Sequence, residues 1–350
     1  MLVTGGCGFI GSAVVRHLLR ETPHRVVNLD ALTYAGSLDN LAEAADDPRH
    51  TFTRADVTDR HALDRVFGEH EPDAVLHLAA ETHVDRSIDD GAAFVRTNVL
   101  GTFELLEAAR RHLAHRTPFD RRAFRFVHVS TDEVFGFLGP TGRFDRDTPY
   151  DPRSPYSASK AAADHLARAA HHTYGLPVIV TNCSNNYGPY QYPEKLIPHT
   201  ILRGVHGLEL PVYGDGRNVR DWLHVDDHAH GLVLALERGT PGSTYLFGAD
   251  QERTTVDVVE SVCSALDTLR PAGAPHARLI TFVADRPGHD FRYAIDARAT
   301  CEELGWNRST PFDDGVRATV AWYLTHLEWS ERRAKGGRSL ERLGTPAPRP

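Results

Sequence analysis

Three constellations have residue types and spacings that could do chemistry. Asp132 and Glu133 are adjacent carboxyl groups that follow the hydroxyls of Ser130 and Thr131 at the end of an apolar run. Neighbouring acids repel, so the pair tends to retain one proton and can act as one acid and one base. A strand-end or helix N-cap role is the ordinary structural use of an aspartate in such a place. Tyr156 and Lys160 stand at i and i+4 in an alanine-rich stretch running to about residue 173. That spacing puts phenol and ammonium on one helix face, where the cation is expected to lower the phenol from its reference pKa of ~10 and let it exchange a proton with an alcohol. An exposed i,i+4 pair is the plain alternative. Gly5, Gly8 and Gly11 form the third constellation, a spacing that lets backbone approach a pyrophosphate at a helix N-terminus.

These residues need elements to hold them. Residues 1–4 read as a short strand before the glycine turn, and 12–20 carry a helical pattern. Residues 25–29 form a second strand ending in Asp30, nineteen residues beyond Gly11. A carboxylate there binds the ribose hydroxyls of a dinucleotide and repels a 2′-phosphate, favouring NAD over NADP. A strand at 51–55 ends in Asp56, a helix follows at 61–69, and a strand at 74–78 leads to Ala79 and Ala80. A long helix spans 91–115, with strands at 126–129 and 178–181 and a Pro/Gly-rich loop at 139–155. This alternation predicts an α/β fold, a Rossmann-type doubly wound parallel sheet whose ligands sit beyond the strands' carboxyl ends. Residues 1–182 are expected to form the NAD-binding domain. Residues 183–330 would mainly form a smaller α/β substrate-binding domain, with some segments returning to the first. Residues 331–350, basic and Gly/Pro-rich, read as a mobile tail without a catalytic role.

Composition narrows the partners. With 350 residues and a net charge of −8, the chain argues against general nucleic-acid binding. No apolar run reaches the ~18 residues of a membrane span, and a cytoplasmic protein is expected. Cys7, Cys183, Cys263 and Cys301 match no metal spacing, so no metal site is expected. Lys160, Lys195 and Lys335 are the only lysines among 39 basic residues, which marks Lys160 and Lys195 as places where a compact ammonium is required.

The stretches TGGCGFIG, NLDALTYAG, HLAAETHVDRS, VSTDEVFG, PYSASKAAADHL, TNCSNNYGPYQYPEKLIP, RDWLHVDDHA and DRPGHDFRYAID span nearly all of residues 1–328. Together they resemble the NAD-dependent nucleotide-sugar dehydratases of the extended short-chain dehydrogenase/reductase family. The resemblance implies a lyase acting on a nucleoside diphosphate glucose, with dTDP-glucose favoured, through C4 oxidation, C5–C6 elimination of water and hydride return to C6. It assigns Tyr156 and Lys160 to the oxidation, Glu133 as the C5 base, Asp132 as the C6 acid and Thr131 to sugar alignment. Around the cofactor it places Phe9, Ile10, Asp30, Ala31, Leu32, Thr33, Asp56, Val57, Leu78, Ala79, Ala80, Thr97 and Asn186 beside the three glycines. On the substrate it places Thr82, Thr131, Asn185, Lys195, Leu196, Pro211, Val212, Tyr213, Arg220, Asp285, Arg286, Pro287, Gly288 and His289, with Arg220 as a diphosphate ligand. It also implies a homodimer through the helices at 91–115 and 156–173.

The sequence departs from that pattern at Phe135, Thr82 and Thr255, the last of which bears on base recognition. The first strand is short for the family, giving the expectation of a start that lacks a few residues and a weakly anchored edge. Two other readings stay open at this point: a nucleotide-sugar 4-epimerase or decarboxylase, which needs no adjacent acids, and a non-catalytic NAD-binding regulator.

Overall fold

Six segments up to residue 183 pair side by side as parallel strands: β1 (Leu2–Thr4), β2 (Val26–Asp30), β3 (His50–Arg54), β4 (Ala74–His77), β5 (Arg125–Thr131) and β6 (Val178–Cys183). Then come β7 (Asn185–Tyr187), β8 (Leu210–Tyr213) and β9 (Val219–His224), before β10 (Thr244–Phe247) returns to pair with β6. The large sheet has the order β10-β6-β5-β4-β1-β2-β3. The computed structural model describes residues 1–285 and 290–335. Arg286, Pro287, Gly288 and His289, and residues 336–350 of the expected tail, lie outside the described residues.

Strands covered by helices on both faces are largely apolar, and β1, β2, β4 and β6 are buried at every position, with polar residues such as Asn28, His77 and Asn182 buried among them. β1 shows how the period of two serves both layers: Leu2 joins one apolar cluster with Leu63, Phe67 and Leu105, while Val3 joins the other with Val14, Leu18 and Leu232. The helices Arg60–His70, Thr102–Ala114 and Pro155–Tyr174 contribute to the first layer. Phe9–Glu21 and Val225–Arg238 pack together in the second.

Three expectations need correction. β1 is short but not an edge: it lies between β2 and β4, and the Met1 ammonium donates to the Arg25 carbonyl at 2.8 Å. The long helix at 91–115 is not α-helical throughout. It runs as Gly91–Phe94, then a π-helical segment Val95–Gly101, then Thr102–Ala114, and the wider turn carries Thr97 to the crevice and Asn98 to Glu81 in the loop after β4. The tail does not begin at residue 331, because a helix covers Leu327–Lys335, anchored by the buried Trp329 against Tyr190 and Trp322.

Two smaller sheets complete the fold. β11 (Glu252–Thr254), β9 and β7 make a three-stranded sheet, and β12 (Ile280–Val283) pairs with β8. Ile197, Trp222, Val262, Phe312 and Tyr323 form their own apolar core. The strand order reverses between β1 and β4, and at such a switch point neighbouring loops diverge and leave a crevice.

Candidate active site

The crevice is lined by the ends of β1, β2, β4, β5 and β6 and the loops that follow them. At its β1 end, Gly5 has φ +71°, and a Cβ there would come within 2.6 Å of the Ala79 nitrogen. A Cβ on Gly11 would reach 2.1 Å from the Gly5 carbonyl oxygen, so the turn and the helix start can close only without side chains. Gly8 caps the helix Phe9–Glu21 with no side-chain hydrogen bond, which leaves first-turn N–H groups to a ligand. Asp30 accepts from Cys7 N at 2.9 Å and Leu32 N at 2.7 Å. Burial pushes its carboxyl up and those two bonds oppose it. A side-chain-free cradle, an uncapped helix start and a carboxylate at the next strand end fit the pyrophosphate and ribose of NAD.

The chemistry-bearing groups meet on the other side. Thr131 ends β5 and Asp132–Phe135 is a single 3-10 turn. The N-cap role weighed for the acids falls instead to Thr131, whose Oγ1 accepts from Glu133 N at 3.3 Å, so neither acid is used as the cap. Asp132 is buried, and its Oδ2 has no hydrogen-bond partner among the described residues. Burial, then the neighbouring Glu133, hold its carboxyl well above the usual range, which favours the protonated form. Tyr156 is buried in the same crevice.

The phenol is not lowered as its spacing to Lys160 suggests. Burial and Glu133 raise it well above its ordinary value, while a hydrogen bond with Thr131 favours the phenolate. Lys160 Nζ donates to the Val129 carbonyl at 2.8 Å instead. The helix places it beneath the strand end, where burial lowers its pKa and Asp164 opposes that.

Several side chains that hold this geometry were missed by the sequence reading. Asp164, fully buried one turn past Lys160, accepts from Ser130 Oγ at 2.9 Å and Tyr150 Oη at 2.7 Å, and Asn182 Nδ2 lies 3.3 Å away. Asn182 also donates to the Thr131 carbonyl at 3.0 Å, tying β6 to the catalytic turn. Asn98, in the π-helical segment, accepts from Glu81 N at 2.9 Å and donates to Glu81 O at 3.0 Å and Ser159 Oγ at 2.8 Å. It thereby pins the loop after β4 to the helix that carries Tyr156. Glu194 accepts from Arg86 Nη2 at 3.0 Å and Tyr34 Oη at 3.2 Å, and both Glu194 and Tyr34 line the crevice. Asn98, as a polar residue inside an otherwise helical run, and Asp164, four residues past Lys160 on the same helix face, carry a local signal that could have marked them.

Of the expected cofactor contacts, Gly5, Gly8, Phe9, Ile10, Gly11, Asp30, Ala31, Thr33, Asp56, Val57, Leu78, Ala79, Ala80, Thr97 and Asn186 line the crevice, as do Tyr156 and Lys160. Leu32 packs against the apolar cluster instead. Thr82, Thr131, Asn185 and Lys195 line it from the substrate list, with Lys195 Nζ donating to Thr82 O at 3.3 Å. Leu196, Pro211, Val212, Tyr213, Arg220 and Asp285 are not among its lining residues. Arg220 donates to Asp290 O at 2.9 Å and Val219 O at 2.8 Å and lies over the Tyr293 ring at 4.1 Å, near enough to Asp132 to act on its charge. Asp285 sits against Gly214, just beyond β8. Among the described residues no His/Cys/Asp/Glu group could hold a metal ion, and no helix is long and apolar enough to cross a membrane.

Residues 2–319 match the family described as GDP-mannose 4,6 dehydratase. A protein of Neisseria meningitidis serogroup B named dTDP-glucose 4,6-dehydratase is 55% identical over 350 residues, covering 99% of each chain. A crystal structure of dTDP-glucose 4,6-dehydratase from Streptomyces venezuelae with NAD bound superposes with a TM-score of 0.86 at 43% identity, over 95% of this chain and 99% of that one. A Thermus thermophilus UDP-glucose 4-epimerase in complex with NAD gives a TM-score of 0.81 at 31% identity, over 92% and 98%.

Proposed function

Because the chain belongs to the nucleotide-sugar 4,6-dehydratase family, we propose a division of labour among its residues for converting dTDP-glucose to dTDP-4-keto-6-deoxyglucose and water. It is an NAD-dependent hydro-lyase. NAD, which the cradle of Gly5, Gly8 and Gly11 and the carboxylate of Asp30 would hold, would supply the hydride acceptor and donor and a cationic ring that favours the phenolate of Tyr156. Tyr156 removes the C4 hydroxyl proton, with Lys160 placed to stabilise the phenolate and Thr131 holding O4. The resulting 4-keto group acidifies the C5 proton, which Glu133 takes. Asp132 gives its proton to the departing C6 hydroxyl, so that water leaves across C5–C6, and a proton returns to C5 as hydride reaches C6.

The observation that carries this reading over epimerisation is the buried Asp132, its Oδ2 without a hydrogen-bond partner among the described residues, beside Glu133 in the crevice of Tyr156. An epimerase or decarboxylase has no use for a poised acid next to a second carboxyl. Mass spectrometry and NMR of the product test it across the nucleoside diphosphate glucoses: loss of one water with 4-keto absorbance in alkali is expected, and dTDP-galactose alone would overturn it.

The chain is read further as a cytoplasmic homodimer. Supporting the dimer, Ile88, Val95, Leu100 and Phe103 expose large apolar side chains along residues 88–103, where a hollow also takes in Leu166 of the Tyr156 helix. The four unpaired cysteines support a reducing compartment.

A further inference from the structure

The outer wall of the cofactor side of the crevice is the loop of residues 33–36, which follows Asp30 and is held only lightly by its own bonds: Gly36 N donates to Thr33 O at 3.2 Å and Ser37 N to Cys7 O at 3.0 Å. Loops of this kind open at low free-energy cost unless something distant ties them. Tyr34 has two such ties on its side chain, its Oη donating to Glu194 at 3.2 Å and Arg86 lying over its ring at 3.9 Å, and the loop's backbone has another from the far end of the chain. Arg333 Nη2 donates to Tyr34 O at 2.7 Å and to Gly36 O at 3.2 Å. The same guanidinium lies over the Tyr192 ring at 5.3 Å, and Tyr192 Oη donates to the Arg333 carbonyl at 3.2 Å. Tyr192 itself lines the crevice and meets the Tyr34 ring edge-on at 5.3 Å. A planar fork can hold two carbonyls and a ring face at once, which an ammonium does less well. Behind it the helix Leu327–Lys335 cannot swing freely, since Trp329 and Ser330 are buried.

We propose that Arg333 is a positioning residue that latches the cofactor loop to Tyr192 and so retains NAD between the two hydride transfers. The inference rests on the dehydratase reading, in which hydride leaves C4 and must come back at C6. Cofactor that escaped in its reduced form between those events would strand a keto sugar and leave a protein unable to finish that turnover, or to begin another until NAD rebinds. A slow exit is therefore a requirement of the chemistry, and Arg333 holds the backbone of a loop that lines the way out.

The test measures NAD dissociation from the full-length holoenzyme after rapid gel filtration. Alongside, NADH lost during turnover is trapped by an NADH-oxidising dye enzyme. Arg333→Ala is expected to release NAD at least tenfold faster, to leak NADH during turnover, and to lose activity on dilution that added NAD restores. Its sugar KM at saturating NAD stays within twofold of wild type. Arg333→Lys, which keeps stem and charge, gives an intermediate rate and serves if the alanine variant fails to fold. Arg332→Ala, which loses only the exposed contact to Asp39 at 3.3 Å, leaves the rate unchanged. Wild-type dissociation rates in both Arg333 variants, with or without a lower Tm, would overturn the proposal. A wild-type protein that binds NAD but makes no keto sugar would instead overturn the dehydratase reading.

Discussion

His128 Nε2 lies 3.0 Å from Asp164 Oδ1, with both side chains fully buried beneath the catalytic turn. Burial works against the Asp164 charge, but the bond to His128 and the nearby Lys160 outweigh it and hold the carboxyl below its ordinary range. The carboxylate is thus an ionised acceptor shared by β5, the Tyr150 loop and β6. Asp164→Ala leaves those donors buried without an acceptor and Lys160 without its nearest counter-charge. A loss of ~3–5 kcal/mol is expected, read as a shift in urea midpoint at unchanged m-value.

Acid should unfold the protein from a higher pH than its carboxylates alone would require. Burial lowers His228 to about 3, and its Nδ1 lies 2.9 Å from Asn186 Oδ1 in the cofactor crevice. Burial likewise lowers His77 and His128. Each is neutral when folded and takes a proton when unfolded near pH 6.5, so its contribution is complete above pH 6.5. That contribution falls by ~1.4 kcal/mol per pH unit below it, until the folded pKa is reached. The Asp164 contribution has the depressed-carboxylate sign as well, and is lost only at lower pH. Chemical denaturation from pH 7 to pH 4.5 should show a slope that His228→Gln reduces by close to one proton. An unchanged slope would mean that His228 is charged in the folded protein.

Glu133→Gln separates oxidation from elimination. The amide keeps the volume of the side chain but cannot take the C5 proton, so mixing with dTDP-glucose should raise absorbance at 340 nm as bound NAD is partly reduced. Keto-sugar formation should fall ~10²–10⁴-fold. Normal turnover would show that another group is the base.

How far the sequence alone reaches depends on whether a residue's role is written in its local spacing. Gly5, Asp30 and Asp56 were legible because strand ends recur with a period, and a parallel sheet puts all those ends on one side. Tyr156 and Lys160 were legible as neighbours from helical spacing, yet the direction of the phenol's pKa was not. It depends first on burial in the folded crevice and then on Glu133, which the β5 turn brings near the phenol. Tyr34, Glu194, Asn182 and Arg333 act through partners up to 299 positions away, and no local pattern encodes such a pair. Leu196 and residues 211–213 were placed at the substrate by resemblance, while in the fold they belong to a helix start and a strand outside the lining of the crevice.

The apolar stretch around residues 88–103 yields the last prediction. Val95 is 57% exposed and Phe103 44% exposed, on one helical path whose π-helical segment also carries Thr97 and Asn98. If a second copy covers this face, a carboxylate placed in it would be buried without a partner at a cost of several kcal/mol, paid twice in a symmetric dimer. Val95→Asp and Phe103→Asp should therefore shift the protein from dimer to monomer in light scattering, while the exposed Arg122→Asp does not. Activity should fall with the dimer, because the freed segment no longer holds Asn98 against Glu81 and the loop after β4 loosens where NAD and sugar meet. A monomeric variant with full activity would separate the two, leaving the dimer face without a role in positioning the site.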